Sequence, residues 1–241
     1  MDVKSKRSVT ALLYKELGQV DYLSALAIQN TLVDMKQRKP SSDILLFVEH
    51  PHVYTLGRGG KESNILATQG VPVYRTGRGG DVTYHGPGQS VVYPIIDLRS
   101  KLRKDVHRYI RNLERTAIRT LEDFALQATR RPPYTGIWIG DRKIAAIGLA
   151  VRRAITFHGL ALNVNTDLNY FNRIVACGLA WADVTSMAKE LGKQQNTERV
   201  RGSFLRHFAE VFGYSRIQEL TEDIRVQAVQ KGSRCEARDG R

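Results

Sequence analysis

Between residues 44 and 98 the chain passes through five short β-rich runs, ILLFVEH, HVYTLG, VPVYRT, DVTYH and SVVYPIIDL, broken by GRGG at Gly57–Gly60 and Gly77–Gly80 and by GPG at Gly86–Gly88. Short runs of Val, Ile, Tyr and Thr set between glycines are the pattern of strands joined by tight turns. The stretch predicts a sheet with glycine-rich loops, and the other elements have to be arranged around it. Upstream, residues 9–17 (VTALLYKEL) read as a strand, and Ala25, Ile28, Leu32 and Met35 recur at helical spacing, with Asp21 placed to cap that helix and Pro40 beyond its end. Downstream, Val106, Ile110, Leu113, Ala117, Leu121 and Phe124 mark a second helix. GIWIG and KIAAIGLAV, joined by Gly140-Asp141-Arg142, predict a hairpin; AITFHGLALNVN adds a strand, and Val200, Phe204, Phe208 and Val211 mark a last helix. Helix, strands, helix, strands, helix is the order of an α/β chain of the α+β kind, with helices on a mixed, mostly antiparallel sheet. Periodicity is lost after about Gly213. Residues 1–213 are therefore expected to form a single domain and 214–241 a C-terminal extension, partly disordered, that contains Cys235.

Composition narrows the class. Hydrophobic residues at 42% and charged residues at 25% are globular averages, which excludes fibres, coiled coils and a disordered chain. The longest apolar run, Ile144 to Val151, is eight residues, against about 20 for a membrane span. The basic N-terminus has no apolar signal stretch, and two cysteines cannot build a disulfide framework, so a cytoplasmic, reducing location is expected. A formal charge of +13 suits an acidic partner, whether nucleic acid, membrane surface or protein, or serves solubility alone.

The doubled GRGG suggests an anion loop, because adjacent glycines expose backbone N–H groups. Neither copy has the spacing. Gly60-Lys61 is followed by Glu62 and has Thr55 where a Walker loop needs glycine, while Glu62 and Val82 stand where a dinucleotide loop needs its third glycine. Gly57–Gly60 reads more simply as a turn between strands. RGGDVTYHGPGQ, by contrast, gathers more glycine, histidine and proline than a hairpin requires. The six histidines include the pair His50 and His52 but no HExxH or CxxC, so no metal site is predicted, and no GxSxG elbow is present. Cys177 lies in IVACGL, where Gly178 permits close backbone approach. A lone cysteine is most often simply buried. A nucleophilic one needs a base or a cation, because a free thiol of pKa about 8.5 is mostly protonated at neutral pH. Lys143, His85 and His158 are the candidates.

RGGDVTYHGPGQ (78–89), PPYTGIWIGDRKIAAIGLAVRR (132–153) and TFHGLALNVNTDLNYFNRIVACGL (156–179), followed by VTSMAKEL (184–191), together resemble the octanoyltransferases of lipoate biosynthesis, the lipoyl(octanoyl) transferase branch of the biotin and lipoate protein ligase superfamily. The resemblance runs over about residues 10–212. It implies a biotin/lipoate protein ligase-like fold: a mostly antiparallel sheet flanked by helices, with a smaller second sheet. It implies that Cys177 is the acyl-thioester nucleophile and Lys143 the lysine that favours the thiolate and shuttles protons. It further implies that Arg78, Gly79, Gly80, Asp81, Val82, Thr83, Tyr84 and His85, with Ala146, Ile147 and Gly148 and with Gly159, Leu160 and Ala161, line the acyl substrate pocket. The implied reaction uses no cofactor and no metal. Its donor is octanoyl-acyl carrier protein, and its acceptors are lipoyl domains of 2-oxoacid dehydrogenases and the glycine cleavage H protein, with no specific nucleic acid and no membrane involved. Backbone N–H groups around Gly80 and Gly148, or the His85 imidazole, would stabilise the oxyanion. Ala176 stands where the family has proline, which leaves the Cys177 loop freer.

Two other readings compete. An ATP-dependent lipoate or biotin ligase of the same superfamily would use a lysine at position 143 but no nucleophilic cysteine. A basic nucleic-acid-binding module would need a cationic stripe interleaved with exposed aromatics, whereas Lys and Arg here are spread over helix faces and tail.

Overall fold

The computed structural model describes residues 11–221 and Ile224. Strand β1 (Ala11–Gln19) leads into helix α1 (Tyr22–Arg38), whose first turn is closed by the Asp21 carboxylate accepting from Ser24 N–H at 2.9 Å. β2 (Asp43–Glu49), β3 (Val53–Leu56), β4 (Val73–Arg75), β5 (Val82–His85) and β6 (Gln89–Ile95) follow. A short helix α2 (Leu98–Lys101) precedes α3 (Val106–Glu122); then come β7 (Thr129–Arg131), β8 (Tyr134–Ile139), β9 (Arg142–Arg152) and β10 (Ile155–Asn163). β11 (Asp183–Val184), α4 (Met187–Leu191), α5 (Thr197–Phe212) and β12 (Arg216–Glu219) come next.

The main sheet has the order β12-β1-β2-β6-β10-β9-β8-β7, with β11 added beside β9; a second sheet has the order β4-β3-β5. From β2 to β7 the neighbours along the main sheet are antiparallel, while β1 runs parallel to β2 and to β12. β2 reads as an unbroken apolar run because both of its faces are covered. Leu45 and Phe47 face α3 and α5, among Leu113, Ala117, Phe204 and Phe208, while Leu46 and Val48 face α1, among Ala25, Ile28 and Leu32. The second sheet closes its own cluster of Tyr54, Leu56, Val82 and Tyr84 against Phe171 and Ile174. Among the described residues no helix is long and apolar enough to cross a membrane.

Two expectations change. Met35, placed on the apolar face of α1 by its spacing, is 41% exposed, and that face instead buries Gln29 completely. The chain also does not leave the fold at Gly213. The Tyr214 hydroxyl donates to Asp43 Oδ2 at 2.6 Å, inside a buried ion pair of Asp43 with Lys36 at 2.9 Å, and β12 then pairs with β1. β12 is an edge strand with every side chain exposed, so it has no hydrophobic alternation to read. Cys235 lies outside the described residues.

Candidate active site

Cys177 sits at a kink. Its own φ is +57° and that of Gly178 is +70°, two successive left-handed residues within the 3-10 turn Ala176–Gly178. A non-glycine residue in that region is strained, and strain of this kind is kept where surrounding contacts impose it. Here they do. Val175 N–H donates to the Asn64 carbonyl at 2.7 Å, and Gly178 and Leu179 N–H groups close the turn at 2.9 and 3.1 Å. Asn64 in turn donates from Nδ2 to Asp81 Oδ2 at 2.6 Å, and a Cβ at Gly178 would lie 2.8 Å from that same oxygen. The loop with Ala176 before the cysteine is thus held by bonds from outside it.

Lys143 reaches the same place from β9. The segment after Cys177 returns as β11, whose Val184 lies in register with Lys143, and the Thr185 N–H donates to the Lys143 carbonyl at 3.0 Å. Lys143 is 7% exposed, and its Nζ donates to the Thr135 carbonyl at 3.3 Å. Lys143 and Cys177 both line a cavity of about 270 Å³ between β9 and β10, the second sheet and the Cys177 turn. They also share the wall of a small adjoining void of about 10 Å³.

Of the segments marked in the sequence, only 82–85 divides by strand alternation. Ala146, Ile147, Gly148, Gly159, Leu160 and Ala161 line the cavity, as do Arg78, Gly80, Asp81, Thr83 and His85. Val82 and Tyr84 point the other way into the core of the second sheet, and Gly79 is occupied in donating its N–H to the Leu149 carbonyl at 2.9 Å. The two GRGG loops lie against each other: Arg58 N–H donates to the Arg78 carbonyl at 2.9 Å, and a side chain at Gly57 would collide with the Gly80 carbonyl. The first loop is therefore more than a turn between strands. Arg78 pins this contact. Its Nη2 donates to the Thr55 carbonyl at 2.6 Å and the Asp81 carbonyl at 2.8 Å, and its Nη1 to the Gly79 carbonyl at 2.9 Å. Burial lowers its pKa from the ordinary value, against the opposing influence of Tyr22, Cys177, Tyr93 and Asp81. Bonded to neutral oxygens, its charge stays uncancelled in the cavity wall.

The histidines take different parts from those open to them in the sequence. Both His85 ring nitrogens are engaged, Nδ1 with Gln89 Oε1 at 2.7 Å and Nε2 with Thr55 Oγ1 at 3.3 Å, and burial depresses its pKa to about 3. Neither nitrogen is free for an oxyanion or for the thiol. His158 lines the cavity with Nε2 unpartnered, its pKa lowered by burial to about 4, and His50 is lowered by burial to about 4. All three are neutral at pH 7. On unfolding each regains a pKa near 6.5, so as pH falls below that value the unfolded chain takes up protons that the fold refuses. The stability they support is complete above pH 6.5 and is lost progressively as pH falls toward about 4 for His50 and His158 and about 3 for His85. Urea midpoints at pH 7 and pH 5 should show a lower value at pH 5; equal midpoints would contradict the burial of neutral imidazoles.

Sequence reasoning missed Tyr22, Val91, Tyr93, Pro133, Tyr134, Thr135 and Leu179, all in the cavity wall. Four of them, Pro133, Tyr134, Thr135 and Leu179, lie within the segments quoted for the resemblance. Val91 and Tyr93 are alternate residues of a run that is apolar on both faces, which conceals the face toward the cavity.

Residues 21–209 match the lipoyl protein ligase A/B catalytic domain. An octanoyltransferase of Solibacter usitatus (strain Ellin6076) is 50% identical over 206 residues, covering 83% of this chain and 92% of that protein. At the level of fold, a crystal structure of lipoate-protein ligase A bound with ATP superimposes with a TM-score of 0.73 at 17% identity, covering 92% of this chain and 93% of that one. A bipartite lipoate protein ligase of Thermoplasma acidophilum, described together with its E2 lipoyl domain, gives 0.70 at 18% identity, covering 92% of this chain and 90% of that one. The chain belongs to the lipoyl protein ligase A/B family. Within that family it falls among the octanoyltransferases, which are acyltransferases.

Proposed function

We propose that this chain transfers an octanoyl group from octanoyl-acyl carrier protein to Cys177, and from there to the acceptor lysine of lipoyl domains of 2-oxoacid dehydrogenases and the glycine cleavage H protein. The observation that carries this reading is that a cysteine at a strained kink and a buried lysine with no ion pair to any described carboxylate share one cavity wall. The Lys143 ammonium favours the Cys177 thiolate. Sγ attacks the thioester carbonyl of the donor, the C–S bond to the carrier breaks, and the carrier leaves as a thiol that takes a proton from Lys143. The octanoyl group is now a thioester on Cys177, at little change in free energy. The amine of the acceptor lysine attacks that carbonyl and gives its proton to the neutral Lys143; the C–Sγ bond breaks, leaving a stable amide and the original thiolate–ammonium pair. No nucleotide enters the balance. Arg78, in the same cavity wall, adds positive potential to the site in which the oxyanions form.

The apolar part of the wall, Val91, Ala146, Ile147, Leu160, Ala161 and Leu179, suits an alkyl chain. At about 0.8 kcal/mol per buried CH₂, an octanoyl tail gains several kcal/mol there. The +13 charge favours encounter with acidic carriers and acidic lipoyl domains. The test is incubation of the protein with octanoyl carrier protein and an apo lipoyl domain without any nucleotide. Octanoyl amide on the lipoyl domain is the expected product; amide formed only when ATP is added would replace this reading with that of a ligase.

A further inference from the structure

Lys143 has an unusual set of neighbours for a buried cation. Its Nζ has a backbone carbonyl at 3.3 Å, no ion pair with any described carboxylate, and the ring of Trp138 at 4.7 Å from the centroid. Trp138 is fully buried. It arrives opposite Lys143 through an irregularity in the hairpin: Ile137 pairs with Ala145, but Trp138 pairs with Lys143, so the register shifts by one residue between them. Gly136, at φ +129°, keeps the space clear for the lysine stem. A Cβ there would stand 2.8 Å from the Ala145 carbonyl oxygen and 3.3 Å from Lys143 Cε.

The same ring also meets the chain that carries the cysteine. Trp181, four residues beyond Cys177, stacks on Trp138 with centroids 5.6 Å apart and planes 10° apart, and the Arg131 guanidinium lies 4.4 Å from the Trp181 centroid. One aromatic side chain therefore touches the Lys143 ammonium and the segment that holds Cys177. An aromatic face attracts a cation without cancelling its charge, whereas a carboxylate at this place would neutralise the field that the thiol needs.

We infer that Trp138 is a positioning residue for the reaction: its face holds the Lys143 ammonium beside Cys177, and its stack with Trp181 keeps the cysteine segment in register with it. The inference rests on the Cys177–Lys143 reading given above. Trp138 is not part of the cavity wall, so its effect on the thiol and the acyl group is expressed through Lys143 and the cysteine segment.

The experiment is a pH profile of Cys177 alkylation by iodoacetamide, run beside acyl transfer, for the full chain and for Trp138→Leu, Trp138→Phe, Ile137→Ala and Lys143→Ala. Trp138→Leu should move the alkylation profile to higher pH and slow alkylation at pH 7 by about tenfold, while Trp138→Phe, which keeps an aromatic face, should stay within about threefold of the unmodified protein. Ile137 is equally buried, one residue away, and Ile137→Ala should lower the melting temperature without moving the profile. If Lys143→Ala shifts the profile and Trp138→Leu does not, or if Ile137→Ala shifts it as far as Trp138→Leu, the positioning role is wrong while the Cys177–Lys143 pair stands. If Lys143→Ala leaves the profile in place, the pair itself falls and the role of Trp138 falls with it.

Discussion

Replacing Cys177 by serine should slow octanoyl transfer about 10³-fold or more while leaving the fold and its melting temperature nearly unchanged. A hydroxyl is almost wholly protonated at neutral pH, and the surroundings of this side chain offer an ammonium, a guanidinium and the His158 imidazole, whose pKa of about 4 makes it too weak a base for a serine. The change removes no packing of consequence, because the cysteine is only half-buried and the kinked turn is held by backbone bonds from Val175, Gly178 and Leu179. Serine keeps the φ of +57° as well as cysteine does, so the turn has no new reason to open. Cys235→Ser should be silent in the same assay. A Cys177→Ser protein that transfers octanoyl groups at a rate near that of the unmodified chain would remove the thioester from the reaction.

The second large effect belongs to Lys143. Lys143→Ala should cost about 10² to 10⁴ in transfer, the usual range for loss of a positioned acid–base group. Two roles are lost together, and pH separates them. Raising the pH supplies thiolate without help from the ammonium, so alkylation of Cys177 should recover toward the unmodified rate. Transfer should recover less, because the attacking amine still lacks its proton acceptor. Lys143→Arg divides the roles from the other side: the guanidinium keeps the charge, so alkylation at pH 7 should persist, but it is effectively never deprotonated, so transfer should stay low. His158 and His85 cannot stand in for the lysine at neutral pH. Each is held neutral by burial and so cannot supply the charge; as proton acceptors they are weak, with pKa values of about 4 for His158 and about 3 for His85, and both ring nitrogens of His85 are already bonded. Recovery of transfer in parallel with alkylation in Lys143→Ala would show that the lysine is an electrostatic partner of the thiol and no proton shuttle.

The parts of this molecule that could be read from its residues are those governed by local rules. Asp21 as a cap, the Leu113, Ala117 and Leu121 face of α3 and the hairpin through Gly140 depend on neighbours within a few residues, and each stands in the structure where the pattern puts it, although Tyr109 and not Ile110 is the buried residue one turn earlier and Phe124 lies beyond the helix end. What could not be read depends on distant partners. Gln29, polar on an apolar helix face, is buried because its Oε1 accepts the N–H of His158, which lies 129 residues away at φ +55°. Gly57 reads as turn glycine until the second GRGG loop is folded against it. Trp138 reads as one more apolar residue in GIWIG, and only the register shift against β9 brings it to Lys143. For the site, resemblance supplied Cys177 and Lys143 as a pair where spacing alone offered a lysine, two histidines and an isolated cysteine. It marked 78–85 as one block, whereas strand alternation turns Thr83 and His85 to the cavity and Val82 and Tyr84 to the core.

The central claim is that the octanoyl group rests on Cys177 on its way to the acceptor, and the most direct measurement is the intact mass of the protein after exposure to octanoyl carrier protein alone, with no nucleotide and no acceptor. One octanoyl group should be gained, should map by peptide analysis to the segment containing Cys177, should be removed by hydroxylamine as a thioester is, and should disappear into amide when an apo lipoyl domain is added. A protein that gains no mass yet still octanoylates the lipoyl domain, or one whose adduct maps to any other residue, would contradict the account.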